Sequence, residues 1–277
     1  MNTPERMPFT QMTAFLKYVE WPVMPEVGQA LISSLNDENA DTYMVCQIIR
    51  KDPALTATLM RMANSAMFGL SGTVDTLERA VNVVGMSLVR TRALSICIVR
   101  SYHLPMGMEP MEFWRFCMLC AGYAQWLADQ CEVDDQEAWL CGMMLRLGEI
   151  NLGQVCPFAL PRIEAKPIQP GERWVRQRAL IGFDEAAVTA ELAQHWDFPG
   201  ALVHGLRQAG QPLQPSSFNK LAAVLHLAAR LADAGAVTAS SVDQLPVMLL
   251  QLLKLDPQTL CTNPPDAQAL SDISAFL

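Results

Sequence analysis

The chain has 277 residues, 51% of them hydrophobic and 17% charged, which is enough apolar material for one large core or two modest ones. Its formal net charge of −8 opposes non-specific binding to nucleic acid. The first residues lack the charged-then-apolar order of a secretory leader, and no apolar run reaches the roughly 18 residues that span a bilayer. We therefore expect a cytoplasmic protein with neither a nucleic-acid nor a membrane partner.

Eight cysteines are scattered along the chain, and several of them fall at apolar helical positions. Cys117 and Cys120 have the C-x-x-C spacing, but Met118 and Leu119 between them continue an apolar helical run. No second pair and no histidine lies close in sequence, as a metal site would require. We expect free thiols that pack in the core of a protein from a reducing compartment, with no cofactor.

The N-terminal part of the chain carries short apolar patterns with helical spacing and tight connections. The predicted helices span residues 15–19, 25–35, 42–50, 52–69, 76–84 and 88–102. In the fourth helix Asp52 is a good N-cap, Pro53 suits the first helical position, and Gly69 can take the left-handed conformation that ends a helix. A capping box is expected at Asp75, with Glu78 reaching back to the N–H group of the cap.

Three polar residues near the C-terminal end of the fourth helix, Arg61, Asn64 and Ser65, lie within about one turn of one another. One interpretation is a surface helix whose Asn64 and Ser65 side chains hydrogen-bond to free carbonyl groups. The other is a polar patch that contacts a partner. The residue pattern leaves both interpretations open.

Residues 103–110 contain two prolines and one glycine, and we place the domain boundary there. Beyond it, helices are predicted over residues 113–130, 138–155, 172–180, 185–196, 201–208, 218–232 and 247–255, with a last short helix from Ala267. Asp184 is the expected N-cap of the helix that begins at Glu185. The chain is therefore predicted to be all-α, with two packed helical lobes at residues 1–108 and 109–277.

The sequences KDPALT (residues 51–56) and ANSAMFG (residues 63–69) form a specific combination. Together they resemble the signature of HDOD domains, the HD-related output domains of bacterial signalling proteins. WPVMPEV (residues 21–27) fits the opening of that family, and residues 76–85 fit its next helix. The resemblance extends over about residues 15–215 and implies that the second lobe is an HD-like helical bundle.

Enzymes of the parent HD superfamily bind metal through histidines and aspartates and hydrolyse phosphoesters. The resemblance implies that their ligand positions fall on Phe116, Leu145, Arg146, Glu185, Ala209 and Gly210. Each of these residues is non-ligating or changed in type, so we expect a degenerate metal site and no catalytic residues. An ion pair of Arg146 with Glu149 or with Asp184 is a hypothesis for what replaces the metal.

The resemblance therefore favours a regulatory pseudoenzyme that acts through contacts with signalling proteins. The candidate contact surface comprises Lys51, Asp52, Arg61, Asn64, Ser65 and Phe68, although the same motif could instead join the two lobes. A metal-dependent phosphohydrolase with an unrecognised ligand set is one alternative function. A sensor that binds a nucleotide or another small anion in the vacant cleft near Arg146 is the other.

Overall fold

A computed structural model describes residues 12–64, 74–166, 168–214 and 217–273. Within these ranges every regular element is a helix and no strand occurs, so the predicted all-α class is confirmed. By length and hydropathy no single described helix could cross a bilayer. The segments Leu77–Val84 and Met86–Ser101 would pass such a test only as a pair, across a bend of 117°.

The chain forms two compact units whose limits differ from the predicted boundary at residue 108. The larger unit comprises the described part of Met1–Trp21 together with Leu104–Ala193 and Ala201–Ser271. The smaller unit comprises Pro22–His103, Gln194–Gly200 and the remaining C-terminal residues, where the structure describes them. The N-terminal helix thus belongs with the second half of the chain, because Phe15 packs in one apolar cluster with Leu152, Ile163 and Val188.

The smaller unit contains α2 (Glu26–Leu35), α3 (Thr42–Arg50), α4 (Pro53–Ala63), α5 (Leu77–Val84) and α6 (Met86–Ser101). Helices α3, α4 and α5 begin at side-chain caps formed by Asp41, Asp52 and Thr76. The inward positions of the helical patterns are fully buried, for example Val45 and Leu55. The apolar spacing in the sequence therefore gave the correct inward faces.

Two predicted details of the smaller unit were wrong. Helix α4 ends at Ala63, and residues 65–73, which include the predicted stop at Gly69, lie outside the described residues. The cap of α5 is Thr76, which accepts from the N–H group of Arg79, while Glu78 pairs with Arg50 instead of reaching back to the cap. Glu78 therefore has a partner distant in sequence rather than the local one that the capping box required.

The larger unit is built around three helices that pack against one another. Its helices are α1 (Met12–Leu16), α7 (Pro110–Ala128), α8 (Asp135–Met144), α9 (Leu147–Val155), α10 (Leu160–Ile163), α11 (Glu172–Ile181), α12 (Glu185–His195), α13 (Gly200–Ala209), α14 (Lys220–Ala234), α15 (Ala239–Asp243), α16 (Val247–Leu253), α17 (Pro257–Thr262) and α18 (Ala267–Leu270). Helices α7, α8 and α14 pack against one another. Gly142 permits the close approach of α8 to α7, since a Cβ atom there would lie 2.9 Å from the Cα atom of Ala121.

All eight cysteines are free, and every one except Cys261 is buried. Burial raises the pKa of Cys117 to about 12, so this thiol is protonated at neutral pH and is a poor nucleophile. The seven buried cysteines thus pack in the cores of the two units, as the sequence predicted, whereas Cys261 does not.

Candidate functional site

The helix predicted over residues 138–155 is broken at Leu145 and Arg146, where α8 ends and α9 begins. The Thr189 hydroxyl, on α12, accepts from the N–H group of Gly148 at 2.8 Å and donates to the carbonyl oxygen of Leu145 at 3.0 Å. It thereby satisfies two backbone groups that a continuous helix would have paired internally. Gly148 is required there, because a Cβ atom would lie 2.2 Å from the carbonyl oxygen of Glu185.

Arg146, placed at this break, is 5% exposed and is held by two carboxyl groups. Its Nε donates to Oε2 of Glu149 at 2.5 Å, and its Nη2 lies 2.9 Å from Oε1 of Glu164. The guanidinium carbon lies 5.2 Å from the ring centroid of Phe113 and 5.0 Å from that of Phe116. Carboxylates and aromatic faces are the two environments in which a buried guanidinium is best stabilised.

A second arginine, Arg173 on α11, lies in the same interior and is also 5% exposed. It contacts Oε1 of Glu164 at 2.9 Å and Oδ1 of Asp233 at 2.8 Å, and its guanidinium lies 4.8 Å from the centroid of Phe116. Asp233, from α14, also accepts from the N–H group of Gly171 at 2.8 Å. We call these five residues, Arg146, Arg173, Glu149, Glu164 and Asp233, the arginine–carboxylate cluster.

Three members of this cluster, Glu164, Arg173 and Asp233, were missed in the sequence. One signal was available for Asp233, because it is a lone carboxylate near the end of the otherwise apolar run Leu221–Ala232. Glu164 lies in a stretch predicted as a surface loop, and Arg173 lies in a predicted helix with two other arginines, so neither differed in the sequence from an ordinary solvated charge.

Glu185, at the first turn of α12, is 1% exposed beside the cluster. Its carboxyl group accepts from Nε1 of Trp174 at 2.9 Å and from Nε2 of Gln177 at 2.7 Å, while its own N–H group donates to Oε1 of Gln177 at 2.9 Å. His226 lies against the Trp174 ring at a centroid distance of 5.0 Å, and its Nδ1 hydrogen-bonds to the carbonyl oxygen of Ala209 at 2.8 Å. Hydrogen bonds and one ring contact thus connect α13, α14, α11 and α12 in this region.

Four carboxyl groups thus lie near two guanidinium groups, and protonation relieves the excess negative charge. Burial raises the pKa of Glu149 well above its ordinary value and raises that of Glu185 to about 7, despite the nearby arginines. Burial opposes the ionisation of Glu164 as well, but Arg146 and Arg173 outweigh it and lower the pKa of Glu164 to about 2. Oε1 of Glu149 has no hydrogen-bond partner within the described chain, which fits a neutral acid better than a carboxylate.

Burial alone would lower the pKa of Arg146, but Glu149, Glu164 and Glu185 outweigh it and raise that pKa above its ordinary value. The guanidinium is therefore charged at every accessible pH. Glu164 is the carboxyl group that the two guanidinium groups keep ionised at neutral pH, because they lower its pKa to about 2. The cluster is therefore an internal network of two guanidinium groups and three carboxyl groups rather than a set of open ligands.

The structure brings three of the predicted ligand positions into this region: Phe116, Arg146 and Glu185. Leu145 is fully buried and contributes its carbonyl oxygen to Thr189, and Ala209 contributes its carbonyl oxygen to His226. The remaining position, Gly210, lies against Asp184, since a Cβ atom there would be 2.3 Å from Oδ2 of that residue.

Of the two partners suggested for Arg146, Glu149 forms the contact and Asp184 does not. Asp184 pairs with Nη1 of Arg178 at 2.5 Å and accepts from the N–H group of Ala187 at 3.2 Å, as the predicted cap of α12.

The residues at these positions do not fit a divalent metal ion. No three His, Cys, Asp or Glu side chains are arranged to hold one anywhere in the described part of the chain. A cation placed among the carboxyl groups would meet two guanidinium groups that already occupy their oxygens. Burial lowers the pKa of His226 to about 4, and its Nδ1 is engaged with the backbone of α13.

The candidate contact surface lies in the smaller unit, and several of its residues have local partners. Asp52 accepts from the N–H group of Leu55 at 2.9 Å and from Arg100 at 3.1 Å. Asn64 donates to the carbonyl oxygens of Met60 and Val74, both at 2.9 Å, and accepts from the N–H group of Val74 at 2.7 Å. These contacts match the local hydrogen-bonding interpretation for Asn64.

The other four residues of that surface differ from Asp52 and Asn64. Lys51 is exposed and lies 3.6 Å from Glu26. Arg61 is exposed, and among the described residues its contact is a long one of 3.4 Å to Oγ1 of Thr58. Ser65 and Phe68 lie outside the described residues. Lys51 and Arg61 therefore remain the described side chains that are open to a partner.

The chain is similar to several known proteins. The family model described as "HDOD domain" matches residues 21–212. The crystal structure of a "Putative phosphohydrolase" from Shewanella amazonensis SB2B has 27% sequence identity and a TM-score of 0.73, with 95% of each chain covered. That of a "Putative signal transduction protein" from Marinobacter aquaeolei VT8 has 20% identity and a TM-score of 0.68, covering 98% of this chain and 62% of the other.

A protein from Treponema pallidum (strain Nichols) is 26% identical over 179 residues, which is 61% of this chain and 34% of that protein. This chain therefore spans about a third of the length of that relative. The fold defines an HD-like helical protein. Of the positions that the resemblance implies as ligands, Glu185 carries a carboxyl group, and the others are Phe116, Leu145, Arg146, Ala209 and Gly210. The chain belongs to the HDOD domain family, because the family match covers more than half of its residues.

Proposed function

We propose that this protein is a non-catalytic signal-transduction module that acts through contacts with other proteins, and that its HD-type metal site has been lost. The observation that carries the proposal is the position of Arg146. Its guanidinium lies between Glu149 and Glu164, at the helix break where the family resemblance locates a His-Asp ligand pair. A fixed positive charge there neutralises carboxylates that a metal ion would otherwise need.

The relatives support the broad class of this function. The protein from Marinobacter bears the name of a signal transduction protein, and its fold matches this chain at a TM-score of 0.68. HDOD domains resemble the enzymes of the HD superfamily in fold. Because one fold can carry different functions, a domain that keeps this fold without metal ligands can serve to bind other proteins.

The contact surface that we propose is centred on Lys51 and Arg61 of the smaller unit. Both side chains are exposed, and their contacts with Glu26 and Thr58 are long and exposed enough to be broken at little cost. Asp52 and Asn64 support this surface by fixing the start and the end of α4. Lys51 is the C-cap of α3 and Arg61 lies in the last turn of α4, and two exposed cations favour a partner with an acidic face.

The test is a quantitative binding comparison. A partner captured from the native host is purified, and its affinity is measured for the natural chain, for Lys51→Glu/Arg61→Glu and for Lys17→Glu/Arg162→Glu. The control pair makes the same charge change at exposed positions of the larger unit. We expect the first variant to weaken binding at least about tenfold and the control to change it less than about twofold. If the two variants lower the affinity equally, Lys51 and Arg61 do not form the contact surface.

A second candidate function is phosphoester hydrolysis, which the name of the Shewanella relative at 27% identity favours. Its test is turnover of bis-p-nitrophenyl phosphate and of cyclic dinucleotides by protein supplied with Mn²⁺, Fe²⁺ or Mg²⁺. An enzyme of this class would lose turnover when Glu185 becomes Gln, because that is a buried carboxylate at one of the implied ligand positions. Absence of turnover in the natural chain supports the regulatory proposal. Turnover in the natural chain contradicts it, whether or not Glu185→Gln lowers the rate.

A further inference from the structure

A cavity of about 180 Å³ opens in the larger unit next to the arginine–carboxylate cluster. Its lining includes Glu109, Glu112, Phe113, Arg146, Glu164 and Lys166. At roughly 30 Å³ per molecule, such a volume holds about six waters. It lies below the ~300 Å³ at which pockets for drug-sized ligands begin, so it suits a molecule of amino-acid size and not a nucleotide.

The inner wall of the cavity includes the guanidinium group of Arg146, which has hydrogen-bond donors that its carboxyl partners do not use. The contacts of Arg146 with Glu149 and Glu164 use Nε and Nη2, and no contact within the described residues uses Nη1. The side chain is 5% exposed and lines the cavity, so its accessible face points there. A carboxylate oxygen in the cavity would complete the hydrogen bonding of this buried cation.

The outer rim of the cavity is acidic. Glu109 is the exposed N-cap of α7, and its contact with the N–H group of Met111 is long, at 3.4 Å. Glu112 pairs with Lys166 at 3.0 Å, but both side chains are more than 60% exposed, so water and ions compete for that pair. The rim can therefore turn a carboxylate towards a ligand without burying a charge.

We propose that this cavity binds a small zwitterion of the amino-acid class. The carboxylate of the ligand accepts from Nη1 of Arg146, and its ammonium group is held by Glu109 and Glu112 at the rim. A simple anion would face the three carboxyl groups of the lining, and a simple amine would face Arg146 and Lys166, so a ligand with both charges matches the lining best. Phe113 supplies an apolar wall for the carbon skeleton. The ligand would be an input to the proposed regulatory module, but its binding does not depend on that role.

The test is a calorimetric titration of the full chain with each proteinogenic amino acid and with γ-aminobutyrate. Propionate and propylammonium serve as ligands that carry one of the two charges. The variant Glu109→Gln/Glu112→Gln removes the rim charges and keeps an amide oxygen that can accept from the N–H group of Met111. The matched control is Glu132→Gln/Asp243→Asn, which makes the same charge change at exposed positions of the same unit.

We expect at least one amino acid to bind with a Kd of ~1 mM or tighter, and both single-charge ligands to bind at least about tenfold more weakly. The rim variant should lose at least about tenfold in affinity, and the control should match the natural chain. The proposal is overturned if no amino acid binds, if propionate binds as tightly as the best amino acid, or if the rim variant and the control behave alike. None of these results depends on partner binding or on hydrolysis, so the proposed function stands or fails separately.

Discussion

The arginine–carboxylate cluster and the end of helix α4 both hold polar side chains that forming a helix does not require, but they hold them in different ways. At the end of α4, Asn64 bonds to backbone groups ten residues away and four residues back, and it remains exposed. In the cluster, Arg146 and Arg173 are buried among carboxyl groups from several helices of the larger unit. The first arrangement satisfies local backbone groups, whereas the second places charged groups where apolar residues would cost less free energy to bury.

This difference shows where to look for a function inherited from an ancestor. A buried ion network seldom adds stability over apolar residues of equal volume, although breaking it is costly. A side chain that caps a loop is explained by folding alone. The cluster, and not Asn64 at the end of α4, is therefore the feature that folding leaves unexplained, and the next four predictions compare the larger unit with the end of α4.

The largest expected effect is the loss of Arg146. Arg146→Met should destabilise the protein by about 3–5 kcal/mol, because it leaves the buried Glu149 and the half-buried Glu164 without the guanidinium group of Arg146. The measurement is urea unfolding followed by circular dichroism. The control is Arg79→Met, which breaks an exposed pair with Asp75 and should change stability by less than about 1 kcal/mol. A loss at Arg146 no larger than at Arg79 would mean that the cluster is not held together as described.

The next effect is the pH dependence of stability caused by Glu185. Burial raises the folded pKa of Glu185 to about 7, so the folded state binds more protons than the unfolded state between about pH 4.5 and pH 7. The contribution of Glu185 to the free energy of unfolding is fully present below about pH 4.5 and is lost as pH rises through 7. The stability difference between the natural chain and Glu185→Gln should therefore fall by about 3 kcal/mol over that range.

The comparison with Glu185→Gln is needed because His226 acts in the opposite direction. Burial lowers its folded pKa to about 4, so His226 favours unfolding increasingly as pH falls below 6.5. Since both chains keep His226, its effect cancels in the difference. A difference that is flat from pH 5 to 7.5 would show that Glu185 is ionised throughout that range.

A smaller effect is expected at the break between α8 and α9. Thr189→Val removes the hydroxyl that joins the N–H group of Gly148 to the carbonyl oxygen of Leu145, and it leaves both groups buried. We expect a loss of about 1–3 kcal/mol by chemical denaturation. Thr189→Ser, which keeps the hydroxyl, should recover most of it. If the serine and valine variants are equally destabilised, packing and not the hydroxyl holds the break.

The smallest pair of effects is expected at the end of α4. Asn64→Ala leaves the N–H and carbonyl groups of Val74 without their partner and should cost about 1–2 kcal/mol. Arg61→Ala removes one long contact and should stay within about 0.5 kcal/mol. Thermal unfolding of the two variants side by side measures both. An unchanged Tm in Asn64→Ala would show that Asn64 is not needed for stability and would favour its role as a contact residue.

Much of the fold could be predicted from the sequence, because helical periodicity and capping are local. Helix α3 and the start of α4 were predicted to the residue, since Asp52 and Pro53 mark the start of α4 chemically. The break at Arg146 was not predicted, because it depends on Thr189, more than forty residues away. The sequence suggested the Arg146–Glu149 pair but not Arg173, because only the folded chain brings α11 and α14 to the same interior.

Metal binding by the purified protein tests the central claim most directly. The natural chain is dialysed against Mn²⁺, Fe²⁺ or Zn²⁺, and the bound metal is then measured by mass spectrometry, together with the Glu185→Gln variant. We predict no stoichiometric metal in either chain, since Arg146 and Arg173 occupy the oxygens that would ligate it. About one or two equivalents in the natural chain, lost in Glu185→Gln, would contradict this claim.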